Sequence, residues 1–193
     1  MTAESDPIDQ LSRALDQTGV IISRVRPEQA TLPTPCSSWD VRDLVDHVVQ
    51  DVRHFTVTAS GGRWESSDIA PIGDDWIGAY REAADALMAA WRREGAIDRT
   101  LELPFGAVSA SWSVGQQIAN FVVHGWDVAK ATGQPTDLDP ELGQHALEWA
   151  KRNLKPEFRG EEGSGRSFGA EVNVDEDAPL QDRLAAFFGR NPS

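Results

Sequence analysis

A chain of 193 residues with 40% hydrophobic and 25% charged side chains suits one domain whose core needs neither disulfides nor metal for stability. Its 31 acidic residues against 18 basic ones leave a net charge of −13, and the basic residues are scattered, which argues against nucleic acid and an anionic membrane surface as partners. The one cysteine, Cys36, excludes an internal disulfide, and Met1 to Pro7 carries no basic-then-apolar leader, so the expected compartment is the reducing cytoplasm.

Taken in order, Ile8, Leu11, Leu15, Ile22 and Val25 recur at helical spacing and predict a first helix over Pro7–Val25, with Asp6 as its cap. The prolines at 27, 33 and 35 make Arg26–Ser38 an extended loop. Ser38 is the expected cap of a second helix, Trp39–Thr58, on which Asp43, His47, Asp51 and His54 stack along one side. A Gly- and Ser-containing loop, 59–73, holds Trp64, placed to cover a pocket, and a third helix spans Asp74–Glu94. A short strand is expected over Arg99–Pro104.

The stretch Phe105–Trp126 has no charge and would be long enough to span a bilayer. Its Ser109, Ser111, Ser113, Gln116, Gln117, Asn120 and His124 make it too polar for lipid, so the fourth helix, Ser113–Thr132, is expected to lie buried in protein and to stop at Gly133. A fifth helix over Pro140–Asn153, a mobile loop over Pro156–Ser167, an extended piece at Val172–Val174 and a helix over Leu180–Phe188 complete the chain. The periodicity predicts a mainly all-α four-helix bundle over 1–155, with small β elements before the fourth helix and in the tail, and with 156–193 packing on the bundle.

Asn120, His124 and Asp127 share one face of the fourth helix, and His47 and Asp51 are the facing groups of the second. Two imidazoles with carboxyl or amide oxygens form a transition-metal site with open positions; the same residues also make a self-satisfied polar network. His54 and His145 read as surface histidines, and Cys36, with no base beside it in sequence, as a small packed residue.

The run Pro35-Cys36-Ser37-Ser38-Trp39-Asp40-Val41-Arg42-Asp43-Leu44-Val45-Asp46-His47 resembles the opening of an actinobacterial DinB-like metal-binding family related to the N-terminal domain of mycothiol-dependent maleylpyruvate isomerase. Pro104-Phe105-Gly106, then Val123-His124-Gly125-Trp126-Asp127-Val128-Ala129-Lys130-Ala131-Thr132-Gly133, resemble later signatures of that family. So do Phe168-Gly169 and Ala178-Pro179-Leu180-Gln181-Asp182-Arg183-Leu184 in the tail.

The resemblance implies a DinB-like four-helix bundle holding a divalent metal, zinc, nickel or iron, through His47, Asn120 and His124. Asn120 stands where the family usually has histidine or carboxylate, and an amide oxygen is a poorer donor, so the expectation is a weakened site, one that recruits Asp51 or Asp127 instead, or one that has lost its metal. Asp51 and Asp127 are otherwise expected to orient the imidazoles or carry protons. The implied activity is that of a thiol transferase or isomerase, in which a low-molecular-weight thiol of the mycothiol type attacks a small electrophile. A non-catalytic small-molecule or partner-binding bundle and a metal-dependent hydrolase are the alternatives. The expected partners are the small-molecule substrate and the thiol, and the expected assembly is a monomer or homodimer.

Overall fold

The first helix, α1 (Pro7–Ser23), begins where Asp6 accepts the Ile8 amide at 2.8 Å and Pro7 presets the helical backbone. It is the first element of a computed structural model that describes residues 6–63, 72–103, 106–160 and 168–192. The expectations for Trp64, for Pro104-Phe105 and for 161–167 fall outside those residues.

The cap of α2 (Val41–Ala59) is Asp40 and not Ser38. Asp40 accepts the Asp43 amide at 2.9 Å and Asp43 reaches back to the Asp40 amide at 3.4 Å, a reciprocal box that serine at 38 has no acidic partner to match. The chain just before it is a tight turn, with the Trp39 amide bonded to the Cys36 carbonyl at 2.9 Å. Trp39 therefore stands outside the helix, free to lean over its first turns. α3 (Trp76–Trp91) is capped by Asp75.

The expected strand is there as β1 (Thr100–Leu103), and it pairs antiparallel with β2 (Gly106–Ser109), which the sequence did not announce. Because β2 runs straight into α4 (Ala110–Thr132), that helix starts three residues earlier than its periodicity suggested, with Ser109 accepting the Trp112 amide at 3.1 Å. It stops at Gly133, whose φ of 70° is a left-handed conformation that glycine adopts without strain.

α4 is the central element and packs against α1, α2 and α5 (Pro140–Asn153), while α3 packs on α2 and α1. Ser113–Gly115, Gln117–Ala119 and Phe121–Ala129 are all buried, so the helix has protein on nearly every side. Two of its contacts satisfy buried polar groups across helices: Gln117 accepts from Trp91 Nε1 at 3.0 Å, and Thr18 Oγ1 donates to the Phe121 carbonyl at 3.0 Å. The fold is mainly helical, as the sequence indicated, and among the described residues no helix is long and apolar enough to cross a membrane.

Beyond α5, Pro156–Phe158 form a short 3-10 turn and Arg159 bridges to Phe168. The expected extended piece at Val172–Val174 has no strand partner among the described residues; it is held by the Val172 amide to the Ala186 carbonyl at 3.0 Å. α6 (Leu180–Phe187) packs on α5 and α4.

Candidate functional site

Helical spacing brings the first pair of side chains together. His47 and Asp51 are one turn apart on α2, and His47 Nε2 lies 3.2 Å from Asp51 Oδ2. From α4, Asn120 Nδ2 donates to the same Asp51 oxygen at 3.0 Å. One turn along α4, the His124 ring meets the His47 ring edge-on with centroids 5.0 Å apart. Trp39, displaced from α2 by the Asp40 cap, covers His47 at 4.4 Å between centroids and reaches to 6.4 Å of His124.

Behind His124 lies Asp127, fully buried. Its Oδ2 sits 3.2 Å from His124 Nδ1. It also accepts from Arg190, Nη2 at 3.1 Å and Nε at 3.3 Å, and lies 3.4 Å from Cys36 Sγ. Arg190 Nη2 is in turn 3.1 Å from Cys36 Sγ. The packed small residue expected at Cys36 is thus a thiol held between a carboxylate and a guanidinium.

Burial pushes the His47 imidazole down to about 4; Asp51 opposes the shift, while His124 and Arg190 add to it. At neutral pH His47 is therefore uncharged, with Nε2 3.2 Å from Asp51 Oδ2, and it is in the protonation state that ligates a metal. Burial alone would raise the Asp127 carboxyl, but Arg190 first and His124 second outweigh it and hold the group below the ordinary carboxylate value. An ionised Asp127 only accepts, so His124 donates through Nδ1 and turns Nε2 elsewhere.

The donor atoms of His47, Asp51 and His124 all lie within 4.8 Å of one another. Two imidazoles and one carboxylate suit zinc, nickel or iron with positions left for an exogenous ligand. Cys36, His124 and Asp127 form a second group within the same reach, so His124 belongs to both.

Of the residues singled out from sequence, His47, Asp51, Asn120, His124 and Asp127 converge. Asn120 turns its amide nitrogen to Asp51. His145 is elsewhere, in a groove between α4 and α5 with Trp112, Trp149 and Arg152. Trp39 and Arg190 join the converging residues without having been singled out from sequence. Trp39 carried a faint signal, an aromatic residue just ahead of the helix bearing His47. Arg190 lies 63 residues from Asp127 and carried none.

A family model described as the mycothiol maleylpyruvate isomerase N-terminal domain matches residues 11–129, more than half of the chain. Two uncharacterized proteins of Mycobacterium tuberculosis, one from strain CDC 1551 and one from strain H37Rv, are each 36% identical over 187 residues, covering 96% of this chain and 98% of theirs. No solved structure matches.

Proposed function

Because the chain belongs to the family of the mycothiol maleylpyruvate isomerase N-terminal domain, we propose that it is a cytoplasmic, divalent-metal-dependent enzyme that joins a low-molecular-weight thiol of the mycothiol type to a small electrophile. The observation that carries this reading is the convergence of His47, Asp51 and His124 from two helices, their donor atoms within 4.8 Å of one another.

In this reading those three residues hold the cation, with Asp51 as the carboxylate ligand and Asn120 as the donor that keeps it in place. A bound divalent cation lowers the pKa of a coordinated thiol so that the nucleophilic thiolate exists at neutral pH. The protein does the rest. Asp127 fixes the His124 tautomer through Nδ1 and so directs the Nε2 lone pair. Asn120 donates to Asp51 Oδ2, which sets the carboxylate 3.2 Å from His47 Nε2 before any ligand arrives. Trp39 covers the outer face of His47 and limits water there. The Asp127 carboxylate is fully buried and already bonded to His124 and Arg190, which suits orienting an imidazole better than carrying a proton to substrate.

The test is metal content by plasma mass spectrometry on untagged protein, wild type beside His47→Ala and His124→Ala. Near-stoichiometric metal that disappears in both variants, together with thiol conjugation lost in parallel, is expected. Full metal stoichiometry in either variant overturns the ligand assignment.

One observation favours a metal-free binding bundle instead: each imidazole already has a carboxylate partner, His47 with Asp51 and His124 with Asp127. Wild type that takes up no zinc, nickel or iron on addition would select it. Turnover of esters or amides without thiol would select a hydrolase.

A further inference from the structure

Two donor sets meet at His124, one completed by His47 and Asp51 and the other by Cys36 and Asp127. They differ in what already stands in them. In the second set the Arg190 guanidinium lies 3.1 Å from Cys36 Sγ and 3.1 Å from Asp127 Oδ2, with Nε at 3.3 Å from both Asp127 oxygens. Arg190 Nη1 donates to the Phe188 carbonyl at 2.7 Å, and the residue is only 8% exposed. A guanidinium does not lose its proton in proteins, so a fixed positive charge stands where a metal using both Cys36 and Asp127 would have to stand. In the first set, among the described residues, Asp51 has no Arg or Lys partner; its ionic neighbour is His47.

The backbone delivers this charge by a specific turn. Gly189 follows α6 with φ of 84°, and the Arg190 amide returns to the Ala185 carbonyl at 2.9 Å. A Cβ on Gly189 would stand 2.7 Å from Gly169 Cα, so the approach also requires glycine on steric grounds.

We propose that Arg190 is a positioning residue: a tethered cation that fills the Cys36–Asp127 side of His124, keeps the protein's own thiol off the metal, and so confines a divalent cation to the His47–Asp51 side. The inference rests on the His47–Asp51–His124 reading above. Its chemical sense lies in competition. A thiolate is a stronger ligand for zinc-like metals than a carboxylate, and Cys36 on the metal would take a coordination position that an external thiol requires. With Arg190 holding Cys36 and Asp127 together, Asp127 still fixes His124 while the sulfur stays out of the coordination sphere.

Cobalt(II) added to the metal-free full-length chain reads this directly, because sulfur ligation gives a charge-transfer band that nitrogen and oxygen ligands do not. Wild type is expected to bind cobalt with no sulfur band. Arg190→Gln, its fold checked by circular dichroism, should gain a band of about one sulfur per cobalt, and adding Cys36→Ser should remove it. Arg190→Lys, which retains the charge, should keep the wild-type spectrum. An Arg190→Gln spectrum identical to wild type overturns the proposal alone. A sulfur band in wild type also overturns it, and that result is readable even if the glutamine variant fails to fold. A wild type that binds no cobalt overturns the metal-site reading and this inference with it.

Discussion

An Asp127→Asn exchange keeps the volume of the side chain and one acceptor oxygen but removes the charge that Arg190 faces. Asp127 is fully buried and Arg190 is 8% exposed, so the variant leaves a guanidinium in a site with little water. Breaking one partner of a buried pair costs about 3–5 kcal/mol, and the retained acceptor oxygen places this variant at the lower end. For a chain of this size that corresponds to a melting temperature lower by roughly 6–12 °C. Arg190→Met should cost a similar amount, because Asp127 then stands buried without its cation. The double variant removes both charges, so its loss should fall well short of the sum, giving a coupling of about 2 kcal/mol or more. Urea unfolding of the four proteins measures it. Single losses below about 1 kcal/mol that simply add would refute the claim that this pair is electrostatically isolated from solvent.

Chelation should lower the melting temperature of metal-loaded wild type and leave His47→Ala unmoved; at metal about 1,000-fold above Kd the stabilisation is about 4 kcal/mol, and identical wild-type melts with chelator and with excess zinc would contradict it. Gly115→Ala would set a Cβ 2.5 Å from Trp149 Cδ1, an overpacking expected to cost about 1–3 kcal/mol; unchanged urea unfolding would show that Trp149 moves aside freely. Arg13 ties α1 to the cap of α5 through Asp139 and Glu141. Burial raises the Asp139 carboxyl, but the Arg13 hydrogen bond and the cap amides outweigh it and hold the group below 3.8. The Asp139 contribution is therefore present above that value and lost as pH falls through the lower folded one. The stability gap between wild type and Arg13→Ala, about 0.5–1 kcal/mol at pH 7 for so exposed a pair, should narrow on acidification to pH 3, and a constant gap would count against it.

Local spacing made half of the site legible. His47 with Asp51, and Asn120 with His124 and Asp127, fall on helix faces that a period of 3.6 residues defines, and a long run without charge up to Trp126 yet too polar for lipid pointed to a helix buried in protein. The α2 cap went astray because Ser38 and Asp40 are both good cap residues; the reciprocal bond from Asp43 decided between them. The strand β2 was hidden because Gly106-Ala107-Val108-Ser109 has little strand character of its own and forms by pairing with β1. The partners of Cys36 were invisible for a related reason: Asp127 is 91 residues away and Arg190 is 154, and no local pattern encodes such meetings.

Those separations have a kinetic consequence. The α2 and α4 faces can dock once the bundle collapses, whereas the Arg190 contact closes the longest loop in the site. Each doubling of loop length adds only about 0.6 kcal/mol of closure entropy, so the final contact is thermodynamically cheap but reachable only after the surrounding helices have found their register. The guanidinium therefore acts as a test of completion: a bundle with α6 misdocked keeps its helices, yet leaves Asp127 uncompensated and the sulfur of Cys36 unguarded.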